Sequence, residues 1–133
     1  MTTGTAGTTA RLYHQQMIHY LRKALVFGDE GVAKTVGIVP DGALLLKPLS
    51  GVFVNVAFDD SGTDVLDIGP STNDDLWMTD GDLSSIAFVA LDEAVTMLVS
   101  GDSTVIATYT GQNNNAAAGA AVVVIAYVPN NDL

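Results

Sequence analysis

The feature that most constrains this chain is a period of two in its apolar residues, restarted every few residues by turn chemistry. In GVFVNVAF, residues 51–58, Val52, Val54, Val56 and Phe58 fall on one side and Phe53, Asn55 and Ala57 on the other. That is the spacing of a strand with one face buried. VAKTVGIV ends at Pro40-Asp41-Gly42, a turn by residue chemistry, and ALLLK follows until Pro48 interrupts it. Proline has no N–H to give to a ladder, so the stretch from Pro48 to Gly51 predicts a bulge, an edge or a bend between sheets. DVLDIG alternates around Asp67, and with GVFVNVAF and the turn DDSGT it predicts a hairpin. IAFVALD has the length of a buried strand, and AVTMLVS, STVIATYT and AAVVVIAYV follow, separated by Gly101-Asp102 and by GQNNNAAAG. About eight strands with frequent turns predict an all-β chain, a β-sandwich or jelly roll rather than an α/β fold. No longer repeat is visible, which argues against a solenoid.

Two segments fit this pattern less directly. In RLYHQQMIHYLRKALVF, Tyr13, Met17, Tyr20, Ala24 and Phe27 keep helical spacing, while Ile18, Tyr20, Arg22, Ala24 and Val26 also alternate with Leu21, Lys23, Leu25 and Phe27. The turn-like Gly28-Asp29-Glu30-Gly31 leads straight into VAKTVGIV, which favours a long hairpin over a helix. In PSTNDDLWMTDGDL, Ser71 or Thr72 could cap one short helical turn ahead of Leu76 and a buried Trp77.

The charge is unevenly spread. Of the net −10, residues 1–28 contribute +3 through Arg11, Arg22 and Lys23 with no acid, and the remainder contributes −13. This divides the chain into an N-terminal arm, residues 1–28, and a β-sandwich body, residues 29–133. An acidic body repels nucleic acid, so no nucleic-acid partner is expected. A basic arm on such a body suits contact with a neighbouring copy, and it equally suits a short basic segment in solvent. With 48% hydrophobic and 15% charged residues, oligomerisation is the economical way to cover apolar surface. No apolar run approaches a membrane span, so no membrane partner is expected. With no cysteine there is no disulfide or thiolate chemistry, and the fold must stand on packing.

The Asp-rich stretch NVAFDDSGTDVLDIGPSTNDDLW is the one place resembling a site, and a calcium loop is its sharpest test. Asp59, Ser61 and Thr63 alternate as ligands should, but Asp64 stands where the loop needs glycine and Pro70 where it needs an acid. The aspartates then serve as turn formers and surface charge, with an irregular calcium site as the alternative. The pairs Asp59-Asp60 and Asp74-Asp75 lie in hydrophilic loops, unlike paired carboxylates whose acidities are driven apart for catalysis. His14 and His19, five apart, share neither a helix face nor a strand face, so a joint metal site is not expected. No serine has a nucleophile-base context and no phosphate-binding glycine loop is present. The chain reads as a non-enzyme with no cofactor.

Taken in order, GVAKTVGIVPDGALLL, GVFVNVAFDDSGTDVLDIG, and TVIATYTG with AAAGAAVVVIAYVPNND resemble a family of small virion proteins from the head gene modules of tailed bacteriophages. The match spans most of residues 31–131. The resemblance implies a capsid decoration or cement protein on the outside of the head, made in the host cytoplasm, commonly a homotrimer, bridging subunits of the major capsid protein. It fixes no catalytic or ligand residue. The N-terminal segment departs from the family pattern, and Arg11, Tyr13, Tyr20, Arg22 and Lys23 are the expected contacts to a neighbour or to the shell. The alternatives are a fibre or tailspike module binding receptor or glycan through Trp77 and loop carboxylates, and a head-to-tail connector subunit.

Overall fold

The computed structural model describes residues 17–93 and 98–129, and these form two antiparallel sheets packed face to face. In chain order the strands are β1 (His19–Val26), β2 (Ala33–Val39), β3 (Leu44–Leu45), β4 (Gly51–Val56), β5 (Asp64–Pro70), β6 (Met78–Asp82), β7 (Phe88–Ala90), β8 (Ser103–Gly111) and β9 (Ala120–Val128). Sheet A runs β1-β9-β4-β7, with β3 also on β9, and sheet B runs β2-β8-β5-β6. Counting β3 and β4 as one interrupted strand, the pairs β1 with β9, β2 with β8, β4 with β7 and β5 with β6 are those of one long hairpin. Rolling it up adds the pairs β4 with β9 and β5 with β8. This is the jelly-roll form of the predicted β-sandwich.

Leu25, Leu45, Val52, Val54, Val123 and Ile125 of sheet A meet Val39, Leu66, Ile68, Met78, Val105 and Tyr109 of sheet B in a continuous core. Trp77, 4% exposed, closes one end of it, as its sequence context predicts. The bend foreseen at Pro48 lies within sheet A. Leu44–Leu45 and Gly51–Val56 pair with the same side of β9, and the 3-10 turn Lys47–Leu49 lifts the chain away between them. That excursion would strand the buried Ala126 amide, and Ser50 Oγ accepts from it at 2.9 Å while donating to Leu46 O at 2.8 Å. A buried hydroxyl so replaces a missing ladder bond. Gly51 must be glycine, because its φ is +157° and a Cβ would meet Val89 O at 2.1 Å.

Both predicted hairpins are overturned. GVFVNVAF lies in sheet A and DVLDIG in sheet B, so the DDSGT segment crosses from one sheet to the other. The pivot is Phe58, 2% exposed, which drops into the core beside Tyr109 at a ring separation of 4.6 Å. Residues 27–32 likewise carry the chain from sheet A to sheet B, so β1 pairs with β9 rather than with β2. From His19 onward the ambiguous N-terminal segment is a strand and not a helix, while Arg11 and Tyr13 lie outside the described residues.

Three smaller expectations also change. IAFVALD supplies only the short edge strand β7, with Ile86 73% exposed and Phe88 38% exposed, because β7 has a neighbour on one side alone. Residues 71–76 form turns rather than a capped helix, with Asn73 N bonded to Pro70 O and Leu76 N to Asn73 O. A register shift between Val54 and Val56 turns Val56 out of the core.

Candidate functional site

The carboxylates of the Asp-rich stretch are already occupied by the protein itself. Asp60, 7% exposed, accepts backbone N–H from Gly62 at 2.8 Å, Asn113 at 3.0 Å and Asn115 at 3.0 Å. Asp59 accepts from Ala117 at 2.7 Å and Ala118 at 2.8 Å. In return Asn115 Oδ1 takes Ser61 N and Gln112 Oε1 takes Thr63 N. The sheet-crossing segment after β4 is thereby stitched to the one before β9, and each ties down amides that no ladder pairs. Burial works to raise the Asp60 carboxyl, but the N–H donors, Asn115 foremost, outweigh it and hold the group below its ordinary value. The Ala118 and Ala117 amides do the same for Asp59.

Deeper in, Tyr109 Oη donates to Asp64 Oδ1 at 2.6 Å, with both residues buried. Burial, reinforced by that bond and by Asp64, Glu30 and Asp60 nearby, pushes the Tyr109 hydroxyl well above its usual value, so it stays a donor. Glu30 Oε1 accepts from Gly111 N at 2.9 Å, which pins the segment after β1 to the end of β8. Among the described residues no group of three His, Asp or Glu is placed to hold a metal ion. A shallow groove of about 350 Å³ passes Gly62, Thr63, Asp64, Val65, Asp82 and Ser84. Its two carboxylates are partnered, Asp64 by Tyr109 and Asp82 by Ser84. Trp77 is 4% exposed and cannot stack on a sugar, and the Tyr109 ring is fully buried.

The outer faces of the two sheets differ in chemistry. On sheet B, Thr104, Ile106, Thr108 and Thr110 of β8 point outward beside Val65, Asp67 and Asp82, with Ile38 of β2 56% exposed, a mixed face that carries acids. Burial raises the Asp67 carboxyl, with Asp80, Asp74 and Asp75 adding to the effect, although the Asp80 amide donates to it. On sheet A, register places Ala24, Val122, Phe53 and Phe88 in one outward row and Arg22, Val124, Gly51 and Ala90 in the next. Phe53 is 48% exposed and packs against Phe88 in a tilted ring contact at 4.5 Å. None of the fifteen acids lies in a strand of sheet A, whereas Asp64, Asp67, Asp80 and Asp82 lie in strands of sheet B.

Of the expected contact residues, Tyr20 and Arg22 project from this acid-free face at the β1 edge. Lys23 points the other way and is half-buried. The sequence reading expected apolar surface in need of cover but did not locate it on the outer face of one sheet. The legible signal was that the outward set of GVFVNVAF and AAVVVIAYV is nearly as apolar as the inward set.

No protein-family model matches the sequence, and none of the curated proteins matches it. Solved structures do share the fold. A chain of the acid-stable capsid structure of Helicobacter pylori bacteriophage KHP30 superposes with a TM-score of 0.64 at 16% identity, covering 84% of this chain and 87% of that one. A chain of the cyanophage Pam1 capsid asymmetric unit gives a TM-score of 0.61 at 17% identity, covering 96% of this chain and 99% of that one.

Proposed function

We propose that this chain is a structural protein of a bacteriophage virion, a cement or decoration protein that binds the outside of the head and bridges major capsid subunits. The observation that carries this reading is the end-to-end likeness to a whole chain of the Pam1 capsid, 96% of this chain against 99% of that one. The partner fold is thus a small chain of the same extent, not one domain of a large one. The chemistry agrees. A part that resists outward pressure needs interface area on a rigid body, and the jelly roll offers an apolar sheet face with its loop carboxylates consumed by internal bonds. Binding as an oligomer, a homotrimer by resemblance, multiplies weak contacts through effective concentration. Tyr20, Arg22 and Lys23, with Arg11 and Tyr13 upstream, are the proposed contacts to the shell or to a neighbour.

The test is addition of the purified protein to heads that lack it. Retention on the heads at saturating, lattice-wide copy number, with a raised temperature of DNA release, is expected. Occupancy of the tail vertex alone would make the chain a connector instead, and no retention would remove the capsid reading.

A further inference from the structure

We infer that the outer face of sheet A is the surface through which two copies of this chain pack together. Self-association belongs to the proposed function, and this face names where it occurs. Its central strands present Val122, Val124, Ala126, Gly51 and Phe53 outward, the composition of an inner sheet face and not of a solvated one. Val124 and Ala126 point away from the core and are already covered within one chain, at 8% and 0% exposure, so the surface left for a partner is that of the side chains around them. Phe53 and Phe88, 48% and 38% exposed, stand above them without cover.

Three observations favour a second copy as the occupant. Each copy carries a net charge of −10, so copies repel unless they meet where acids are absent, and the strands of sheet A hold none of the fifteen. Arg22 is the single charge projecting from those two central rows, and it sits on the edge strand, where its head can stay in water. The face also leaves apolar side chains open to solvent, with Tyr20, Val26 and Phe53 at 55%, 47% and 48% exposure, which a like face would cover.

Strands of 8, 9, 6 and 3 residues, at ~3.3 Å per residue and ~4.8 Å apart, give a face of roughly 400 Å² in projection, about half of the ~800 Å² that one partner contributes to a standard interface, the size of a weak contact that an oligomer multiplies.

Light scattering on the purified full chain at micromolar concentration tests the contact. The wild type is expected at a multiple of the 13.8 kDa chain mass. Phe53→Asp, at a half-exposed position, is expected to return it to the single-chain mass with an unchanged β-sheet circular dichroism spectrum. Phe88→Asp on the edge strand is the second variant if the first does not fold. Thr110→Asp, on the outer face of sheet B, should leave the mass unaltered. A folded Phe53→Asp or Phe88→Asp protein that keeps the wild-type mass overturns this face as the contact. A wild type at single-chain mass overturns self-association altogether, while its retention on heads would leave the capsid reading standing. An associating wild type that heads do not retain would do the reverse.

Discussion

Replacing Tyr109 by Phe removes one oxygen from the centre of the sandwich and leaves a carboxylate without its donor. The ring would keep its place against Phe58, since the 4.6 Å ring contact does not involve the hydroxyl. What changes is Asp64, 3% exposed, whose Oδ1 accepts the hydrogen bond from the Tyr109 hydroxyl at 2.6 Å. Removing one partner from a buried acceptor costs about 1–3 kcal/mol, more than the net value of the bond. Unfolding entropy of about 2.1 cal/mol/K per residue over 133 residues is roughly 0.28 kcal/mol/K, so the midpoint should fall by about 4–10 °C. Calorimetry on Tyr109→Phe, Asp64→Leu and the double variant reads this directly. The double variant should lose less than the two single losses combined, because the orphaned partner is gone in each case. A Tyr109→Phe midpoint within about 2 °C of wild type, or strict additivity in the cycle, would refute the claim that this bond satisfies a buried acceptor.

Three further perturbations probe the frame around it. Ser50→Ala should cost about 1–3 kcal/mol in chemical denaturation, since the Ala126 amide, fully buried, then has no acceptor. Leu25→Ala, at 1% exposure, should cost about 2–5 kcal/mol, and truncation through residue 27 should abolish cooperative unfolding, since it removes the eight-residue β1 that covers β9. With pH the two kinds of aspartate act oppositely. Asp59 and Asp60 are depressed in the fold, so their contribution is fully present above the unfolded carboxyl value of about 3.9 and is lost as pH falls through their folded values. Asp67 is raised, so it opposes folding at neutral pH and that opposition fades as pH drops through its folded value. Asp67→Asn, which keeps an oxygen for the Asp80 amide, should therefore raise the melting temperature at pH 7 and leave it unchanged in acid.

Strand positions were legible in the sequence because they follow from the period of two and the turn residues, both local properties. Pairing was not, because in a jelly roll most consecutive strands leave for the opposite sheet. Among the described residues only β5 and β6 are joined as a hairpin within one sheet. The clue in the DDSGT region was its apolar content. Residues 57–63 include Phe58, which a solvated hairpin loop has no reason to carry and which a crossing between sheets buries. The identity of the Asp59 and Asp60 partners was equally hidden, because the asparagines and alanines that meet them lie 53 to 59 residues away. Their role as loop formers, in contrast, was readable from residue chemistry.

The same wiring explains why the acidic charge and the apolar face lie apart. Sheet A consists of β1, β3, β4, β7 and β9, whose sequences contain no acid, and sheet B takes β5 and β6, which carry Asp64, Asp67, Asp80 and Asp82. Because alternate segments of the chain go to opposite sheets, a composition that looks evenly mixed along the sequence is sorted in space. An acid would cost the isolated fold at the outward positions Val124 and Ala126, 8% and 0% exposed, and little at Phe53, 48% exposed. The stability of one copy therefore accounts for the acid-free centre of β9, and the contact between copies inferred above would extend the exclusion to exposed positions such as Phe53, where a carboxylate costs little in water and far more once it is desolvated and unpaired.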